Sequence, residues 1–276
     1  MNKNSNKSHA KINLNLNITG KTKKFHKLQS IISFISLHDE VTLKQIKYRG
    51  HKILFKGEFS KKISTRNTIQ KTLNILDKKK LLKKKYLVII KKNIPSKSGM
   101  GGGSMNAATL IKILIKKKII KLDKKNLQNL CDSIGQDVKL GFCKNKMYLN
   151  SDNKVKTLNK MTKYFLLLFM PKYGCSTKSI FSKVKRFSKP IKNIYKKLDY
   201  LGDLKNDLEE IVIKKNPELK KPIKFIKNQP GIKFVKMTGS GSCFVAYSKS
   251  KDSIINSIIK FRKNYPKYWS VLSKTI

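Results

Sequence analysis

The chain has 276 residues, with 64 lysines and arginines against 15 aspartates and glutamates, so its formal net charge is +49. This length can bury a sizeable core without staples, and the four widely scattered cysteines lack the tight spacing of a zinc site. Only four of the basic residues are arginine, the side chain that base and phosphate recognition favours, so we expect a solvated lysine surface and no nucleic-acid partner.

The chain opens with a strand pattern. Residues 10–20, AKINLNLNITG, alternate apolar and polar side chains up to a turn glycine, which predicts a strand with Lys11, Asn13 and Asn15 on one face. Strand and helix patterns then follow without the regular alternation of a doubly wound parallel sheet. They predict strands at 28–46, 86–95, 164–170, 232–237 and 243–247, and helices at 66–82, from about 104, and at 126–134, 179–184, 204–213, 217–227 and 253–261.

These patterns predict an α+β fold. The polar stretch at residues 150–160 separates the two halves and is the best candidate for a domain boundary. We therefore expect an N-terminal domain at 1–155 and a C-terminal domain at 156–276. The chain shows no internal repeat.

A glycine-rich loop is the strongest functional signal. Four glycines within residues 98–104, SGMGGGS, allow backbone N–H groups to converge, and a helix beginning near Ser104 adds its positive end, so the loop is predicted to bind phosphate. It is not a Walker A loop, because Met105 and Asn106 replace the lysine and the hydroxyl residue of that motif. Its spacing also differs from the dinucleotide fingerprint. The alternative is a flexible turn with Ser104 as an ordinary N-cap.

Two charged residues could carry phosphoryl-transfer chemistry. Asp137, in IGQDVKLGF, is one of few acids and lies between a glycine turn and an apolar segment, where a carboxylate would be partly buried. Such a group could orient and deprotonate a hydroxyl, and a cation such as Lys11 could offset charge on the phosphoryl group. The alternatives are a helix or turn cap for Asp137 and, for Lys11, simply one lysine among 60 without a special role.

Two further segments suit ligand contact. Phe25 and His26 place an aromatic ring beside an imidazole, as stacking on a base and reading of its edge require, although such a pair is common in cores and on surfaces. Residues 237–247, MTGSGSCFVAY, join two predicted strands through small residues. This turn permits close backbone approach to a ligand or to the first glycine loop, or is an ordinary hairpin.

Three motifs, in order, resemble those of the GHMP kinases, named for galactokinase, homoserine kinase, mevalonate kinase and phosphomevalonate kinase. The motifs are AKINL at 10–14, IPSKSGMGGGSMNAAT at 94–109 and MTGSGSCFVA at 237–246. The resemblance implies a two-domain α+β fold with the active site in the cleft between the domains. It also implies ATP as phosphoryl donor, with Mg²⁺, although no metal ligand is assigned.

Shorter segments narrow the resemblance to one branch of the family. FH, LQS, LHDEVT, IGQDV, PKYGCSTKSIF and KNDLE look like segments of the kinases that act on 4-diphosphocytidyl-2-C-methyl-D-erythritol. This branch implies ATP-dependent phosphorylation of the substrate's 2-hydroxyl in the non-mevalonate synthesis of isoprenoid precursors.

Carried over to this chain, the resemblance assigns roles residue by residue. It makes Asp137 the catalytic base and Lys11 its partner, places Asn67 and Lys92 near adenine, and stacks cytosine between Phe25 and Phe181. The implied nucleotide-binding residues are Asn67, Lys92, Pro95, Ser98, Gly99, Met100, Gly101, Gly102, Gly103 and Ser104, and the substrate-binding residues are Asn13, Phe25, His26, Thr177, Phe181, Gly239 and Ser240.

Three alternatives remain at this stage. They are a sister GHMP kinase acting on homoserine or mevalonate, a nucleic-acid-binding protein explained by the charge, and a degenerate fold that binds ligand without turnover. No apolar run reaches the roughly 20 residues that span a bilayer, and residues 1–10 lack a signal-peptide pattern. We expect a cytoplasmic monomer or homodimer with a small-molecule substrate and no membrane partner.

Overall fold

A computed structural model describes residues 5–23, 25–61, 63–143, 146–159 and 161–276. Strands and helices are mixed along the whole chain, as expected of an α+β protein. The elements are β1 (Asn6–Asn13), β2 (Asn17–Lys21), β3 (His26–Ile46), β4 (Lys52–Lys56), α1 (Thr68–Lys78), β5 (Lys85–Lys91), α2 (Gly102–Lys116), α3 (Lys124–Ile134), β6 (Lys146–Leu149), β7 (Val155–Thr157), β8 (Phe165–Met170), α4 (Thr177–Phe181), α5 (Glu209–Lys215), α6 (Lys220–Lys227), β9 (Phe234–Met237), β10 (Phe244–Ser248), α7 (Lys251–Asn264) and β11 (Trp269–Lys274).

The described residues form two compact units that alternate along the chain. The first combines residues 5–10 with Leu37–Pro95 and Gly101–Cys143, and the second combines Lys11–Ser36, Ser96–Met100 and residues 146–276. Each unit therefore draws on separate stretches of the sequence. The division into domains at residues 155 and 156 stays a prediction.

The first unit packs helices against a sheet. In this unit β3 pairs antiparallel with β5, and β4 pairs parallel with β5. Ile69, Leu73 and Leu76 recur at helical spacing on α1 and are buried, as an amphipathic helix requires. They join a core that also contains Val88 and Ile90 of β5.

The second unit contains an antiparallel sheet in the order β11-β8-β10-β9. β8 and β10 lie inside it and read as continuous apolar runs because residues on both of their faces are buried. Phe169 of β8 stacks on Phe244 of β10 at a centroid distance of 5.9 Å, and Phe261 of α7 covers Phe169 at 4.9 Å. In the same unit β3 pairs with β2 and β6.

Several elements differ from the sequence prediction. The strand predicted at 10–20 is two strands, β1 and β2, and the helix predicted at 204–213 begins only at Glu209, because residues 205–207 bond along Leu16 instead. Four strands were not predicted, and one of them, β7, lies inside the polar stretch at 150–160. Within the described residues, none of the helices has the length and apolar character that crossing a membrane requires.

Candidate functional site

The two glycine segments pack backbone against backbone in the second unit. Gly99 has φ of +80°, and a Cβ there would overlap the carbonyl oxygen of Thr238 and lie 3.1 Å from the nitrogen of Gly241. Gly239 has φ of +54°, and a Cβ there would lie 2.5 Å from the Gly99 oxygen. Only glycine fits this approach without displacing main chain. The turn after β9 therefore approaches the first glycine loop, one of the two possibilities that the sequence left open.

Backbone hydrogen bonds also hold residues 96–100 in place. The Met100 oxygen accepts from the Lys11 nitrogen at 3.1 Å, and the Ser98 oxygen accepts from the Cys243 nitrogen at 3.3 Å. Ser98 and Met100 are both buried. The loop segment is thus held by ordinary backbone pairing on two sides.

The N-terminus of α2 presents donors to an anion. Gly101 is its N-cap, with φ of +68°, and no side chain among the described residues caps the helix or places an acid in its first turn. The first helical bond runs from the Met105 nitrogen to the Gly101 oxygen at 3.0 Å, so the N–H groups of Gly102, Gly103 and Ser104 have no intrahelical acceptor. These donors and the helix dipole suit a phosphate.

Ser104 lies inside α2 as its third residue, so the predicted start was two residues late and the alternative that Ser104 is the N-cap is wrong. Glycine suits the first turn of α2 because neighbouring side chains leave little room for a Cβ at Gly102 and Gly103. The Thr68 hydroxyl donates to the Gly103 oxygen at 2.8 Å, and a Cβ on Gly102 would lie 3.3 Å from the Lys92 Nζ. Pro95, at the start of the loop, is buried.

Lys11 lies in a buried polar network. Its Nζ donates to Asn13 Oδ1 at 2.7 Å, and Asn13 Nδ2 donates to Ser30 Oγ at 2.7 Å. The Asn13 nitrogen donates to Thr238 Oγ1 at 3.0 Å, which ties β1 to the second glycine turn. Lys11 is only 5% exposed, and its role in catalysis stays a prediction.

Asp137 is half-buried, as predicted, at the N-cap of a short 3₁₀-helix, Val138–Phe142. Within the described part of the chain, its side chain makes no capping bond to that helix. Nearby, burial lowers the pKa of Lys139, and the charge of Asp137 is among those that oppose this effect. Asp137 belongs to the first unit and Lys11 to the second, and their pairing stays a prediction.

Residues predicted to hold cytosine, together with Ser240 of the second glycine turn, form two close pairs in the second unit. The His26 and Phe181 rings lie 5.1 Å apart with a 44° tilt, and the Thr177 and Ser240 hydroxyls are 2.9 Å apart. Phe25 is 54% exposed at the end of a turn. An exposed ring beside a partly covered pair is available for stacking on a base.

The lowered pKa of His26 favours the neutral form of its ring, which suits hydrogen bonding to the edge of a base. Burial, and secondarily the charge of Lys21, lower the pKa of His26 from its ordinary 6.5. A neutral imidazole carries one donor and one acceptor nitrogen. Near pH 7 this ring can therefore both give and accept a hydrogen bond.

The two residues predicted near adenine already have protein partners. Asn67 Oδ1 accepts from the nitrogens of Ile69 and Gln70 at 3.0 Å each and so caps α1. Lys92 is buried and ion-paired with Asp39. These contacts explain both side chains structurally, and their place beside adenine stays a prediction.

Two family profiles match the chain: GHMP kinases N terminal domain over residues 67–142, and GHMP kinases C terminal over residues 185–267. A protein of Pelagibacter ubique (strain HTCC1062) named 4-diphosphocytidyl-2-C-methyl-D-erythritol kinase is 46% identical over 275 residues, 98% of each chain. This chain belongs to the GHMP kinases. A kinase of the same name from Wolbachia pipientis wMel is 29% identical over 278 residues, 95% of each chain.

Solved structures support the fold of this GHMP kinase. A crystal structure of 4-(cytidine 5'-diphospho)-2C-methyl-D-erythritol kinase has a TM-score of 0.81 at 20% identity and covers 99% of both chains. Homoserine kinase from Cytophaga hutchinsonii has a TM-score of 0.68 at 14% identity, with 100% of this chain and 96% of that chain covered. The predicted α+β GHMP kinase fold is confirmed.

Sequence reasoning missed several residues whose side chains fix the backbone around the candidate site of this GHMP kinase. Asn206 is buried, and its Nδ2 donates to the oxygens of Met237 and Gly239 at 2.9 Å each. Glu209 Oε2 accepts from the Met237 nitrogen at 2.8 Å. Both residues lie in the KNDLE segment, which the resemblance included without a role. Asp39, in the LHDEVT segment, was missed in the same way.

The residues of this GHMP kinase also bear on Mg²⁺. The described residues contain no group of three His, Cys, Asp or Glu side chains that could hold a metal ion. Mg²⁺ in phosphotransferases needs no such cage, because substrate phosphates, water and one or two protein ligands suffice. The partly buried Asp137 is a donor of the appropriate type.

Proposed function

We propose that this GHMP kinase transfers the γ-phosphoryl group of ATP to the 2-hydroxyl of 4-diphosphocytidyl-2-C-methyl-D-erythritol, a step in non-mevalonate isoprenoid precursor synthesis. One observation carries the choice of acceptor, namely the 46% identity to a kinase named for that substrate over 98% of both chains. The uncapped glycine start of α2 supports the phosphoryl-transfer chemistry.

In this proposal the chain supplies positioning and charge. The N–H groups of the first turn of α2 hold nucleotide phosphates, and Lys11 offsets negative charge on the transferred group. Asp137 accepts the proton of the 2-hydroxyl as its oxygen bonds to phosphorus and the bond to ADP breaks. Asn13, whose amide bonds Lys11 and Ser30, helps to hold the methylerythritol end of the acceptor. Mg²⁺ bound with ATP would neutralise phosphate charge, and no ligand for it is assigned among the described residues.

The cytidine end is assigned to the second unit. Phe25 and Phe181 stack on cytosine, His26 bonds its edge, and Thr177 with Ser240 borders the same place. The 5.1 Å approach of His26 to Phe181 and the exposure of Phe25 support this arrangement. Location in the cytoplasm and the monomer or homodimer state stay predictions.

Purified protein tests the proposal directly. ATP-dependent phosphorylation is measured with the cytidine acceptor, with mevalonate and homoserine as competitors, for wild type and Asp137→Asn. We expect turnover of the cytidine acceptor alone, and a fall in kcat of about 10²–10⁴-fold in the variant. Asp132→Asn is the matched control, because Asp132 is exposed and bonds only Gln128 at the surface among the described contacts. Turnover of a competitor alone, or of no acceptor, would refute the assignment.

A further inference from the structure

Asp39 is a completely buried carboxylate in the first unit, with 0% of its surface exposed. Its Oδ1 accepts from the nitrogens of Asn93 and Ile94, each at 2.8 Å. Its Oδ2 accepts from Asn106 Nδ2 at 2.8 Å and from the Lys92 ammonium. A carboxylate has about four acceptor sites, so these four donors fill it. Asp39 therefore has no capacity left to bind a ligand or move a proton.

The donors to Asp39 come from both ends of the glycine loop. Lys92, Asn93 and Ile94 directly precede the loop, and Asn106 lies in α2 just after it. A loop rich in glycine loses much conformational freedom on ordering. Because Asp39 bonds residues at both ends of the loop, it reduces the conformational entropy that the loop would otherwise lose when nucleotide binds.

The amide of Asn106 serves Asp39 specifically. Asn106 is 2% exposed, and its Oδ1 has no hydrogen-bond partner among the described residues. Its Nδ2 bond to Asp39 is thus the contact that orients the side chain. Because Asn106 is on α2, this bond sets the first turns of the helix relative to the strand that carries Asp39.

The charge of Asp39 also offsets an unfavourable neighbour. Lys92 Nζ lies beside Gly102, the first residue of α2, where the helix dipole is positive. A buried cation next to this end would be destabilised without a counter-charge. Asp39 thus holds the ammonium beside the N-terminus of α2 with its charge compensated.

We infer that Asp39 is a positioning residue for the nucleotide, acting through Lys92, the backbone at 93–94 and Asn106 to preset the phosphate-binding end of α2. The inference rests on the proposed function only in taking a nucleotide as the ligand. We therefore expect nucleotide affinity to depend on the two ends of the glycine loop, and acceptor affinity to depend on residues of the second unit.

Direct titration of the full chain with ADP provides the test, since it needs no turnover. We expect Asp39→Asn to weaken ADP binding by about tenfold or more and to raise KM for ATP in parallel, with KM for the cytidine acceptor within about twofold of wild type. Unchanged ADP affinity in the folded variant would overturn the inference. So would equal weakening of ADP and acceptor, which indicates a general structural role.

Glu40 offers a matched control on the next residue of the same strand. It pairs with Lys91 at 3.2 Å across β3 and β5, and the side chains of Glu40 and Lys91 are 28% and 58% exposed. Glu40→Gln removes the same charge from an exposed ion pair of little energetic value and should leave ADP affinity unchanged. Equal weakening in Glu40→Gln would contradict a specific role for Asp39.

Asn106→Ala keeps the test decisive if Asp39→Asn does not fold, because it removes one donor and no charge. We expect ADP binding about threefold weaker and an unchanged acceptor KM, whereas wild-type ADP affinity would overturn the inference. Wild-type protein that binds ADP but does not phosphorylate the cytidine acceptor would refute the proposed function and leave this test in force.

Discussion

Gly99→Ala probes the backbone contact between the two glycine segments. Adopting φ of +80° costs an alanine about 1–2 kcal/mol, and the Cβ would also overlap the Thr238 carbonyl oxygen. Because that oxygen belongs to main chain, relief requires a shift of the turn, and overpacking of this kind costs about 1–3 kcal/mol. The free energy of unfolding should therefore fall by about 2–5 kcal/mol, which corresponds to a melting temperature lower by roughly 5–15 °C.

The shift should also misplace the phosphate loop, so KM for ATP should rise about tenfold. Calorimetry and steady-state kinetics on the full chain measure the two effects. Gly50→Ala is the matched control, since a Cβ at Gly50 would meet no atom within 4 Å and its φ is outside the left-handed region. If Gly99→Ala has the same melting temperature as Gly50→Ala and the wild-type KM for ATP, the backbone contact does not organise the loop.

Two further predictions concern the second unit. Because burial lowers the pKa of His26 from its ordinary 6.5, its ring is mostly neutral at pH 7 and above, so KM for the cytidine acceptor should be constant from pH 7 to 8 and rise on acidification. His26→Gln should abolish this rise, and a KM that increases above pH 6.5 would contradict the assignment. Asn206→Ala leaves the Met237 and Gly239 carbonyls without this donor and should lower the free energy of unfolding by about 1–3 kcal/mol, measured by urea titration. Asn216→Ala, which removes one partly buried bond to Val212, should cost less.

Apolar patterns in the sequence predicted one helix and one strand directly. Ile69, Leu73 and Leu76 recur at helical spacing, and the helix that carries them is α1. The continuous apolar run at 164–170 likewise became β8. In both cases the pattern depends on neighbours in sequence, which a single chain displays directly.

The opening strand shows the limit of this reasoning. Alternation at 10–15 predicted that the polar side chains share one face but did not indicate whether that face is buried, and Asn13 and Asn15 are 4% and 0% exposed. Their amides are satisfied by distant partners, such as Ser30 Oγ for Asn13 and the Ile31 nitrogen for Asn15. The residue type does not show whether a polar side chain is buried and hydrogen-bonded or exposed to water, so the alternation could not distinguish the two.

Asp39 was missed for a related reason. It sits among His38 and Glu40 on a long strand, where a run of polar residues usually indicates exposure. Its donors are 53 to 67 positions away in sequence. The glycines of the loop, by contrast, indicate its unusual backbone geometry by their residue type alone. The loop could therefore be predicted from the sequence, whereas the carboxylate that supports it could not.

The contact between residues 96–100 and the turn after β9 has a consequence for the growing polypeptide. The ribosome makes the glycine loop more than 130 residues before Thr238 and Gly239, the positions on which Gly99 rests. During that interval the loop has no partner of this kind, although chains begin to fold while they are being made. Competence to bind nucleotide should therefore arise late in translation, and a chain truncated before β9 should not bind ATP.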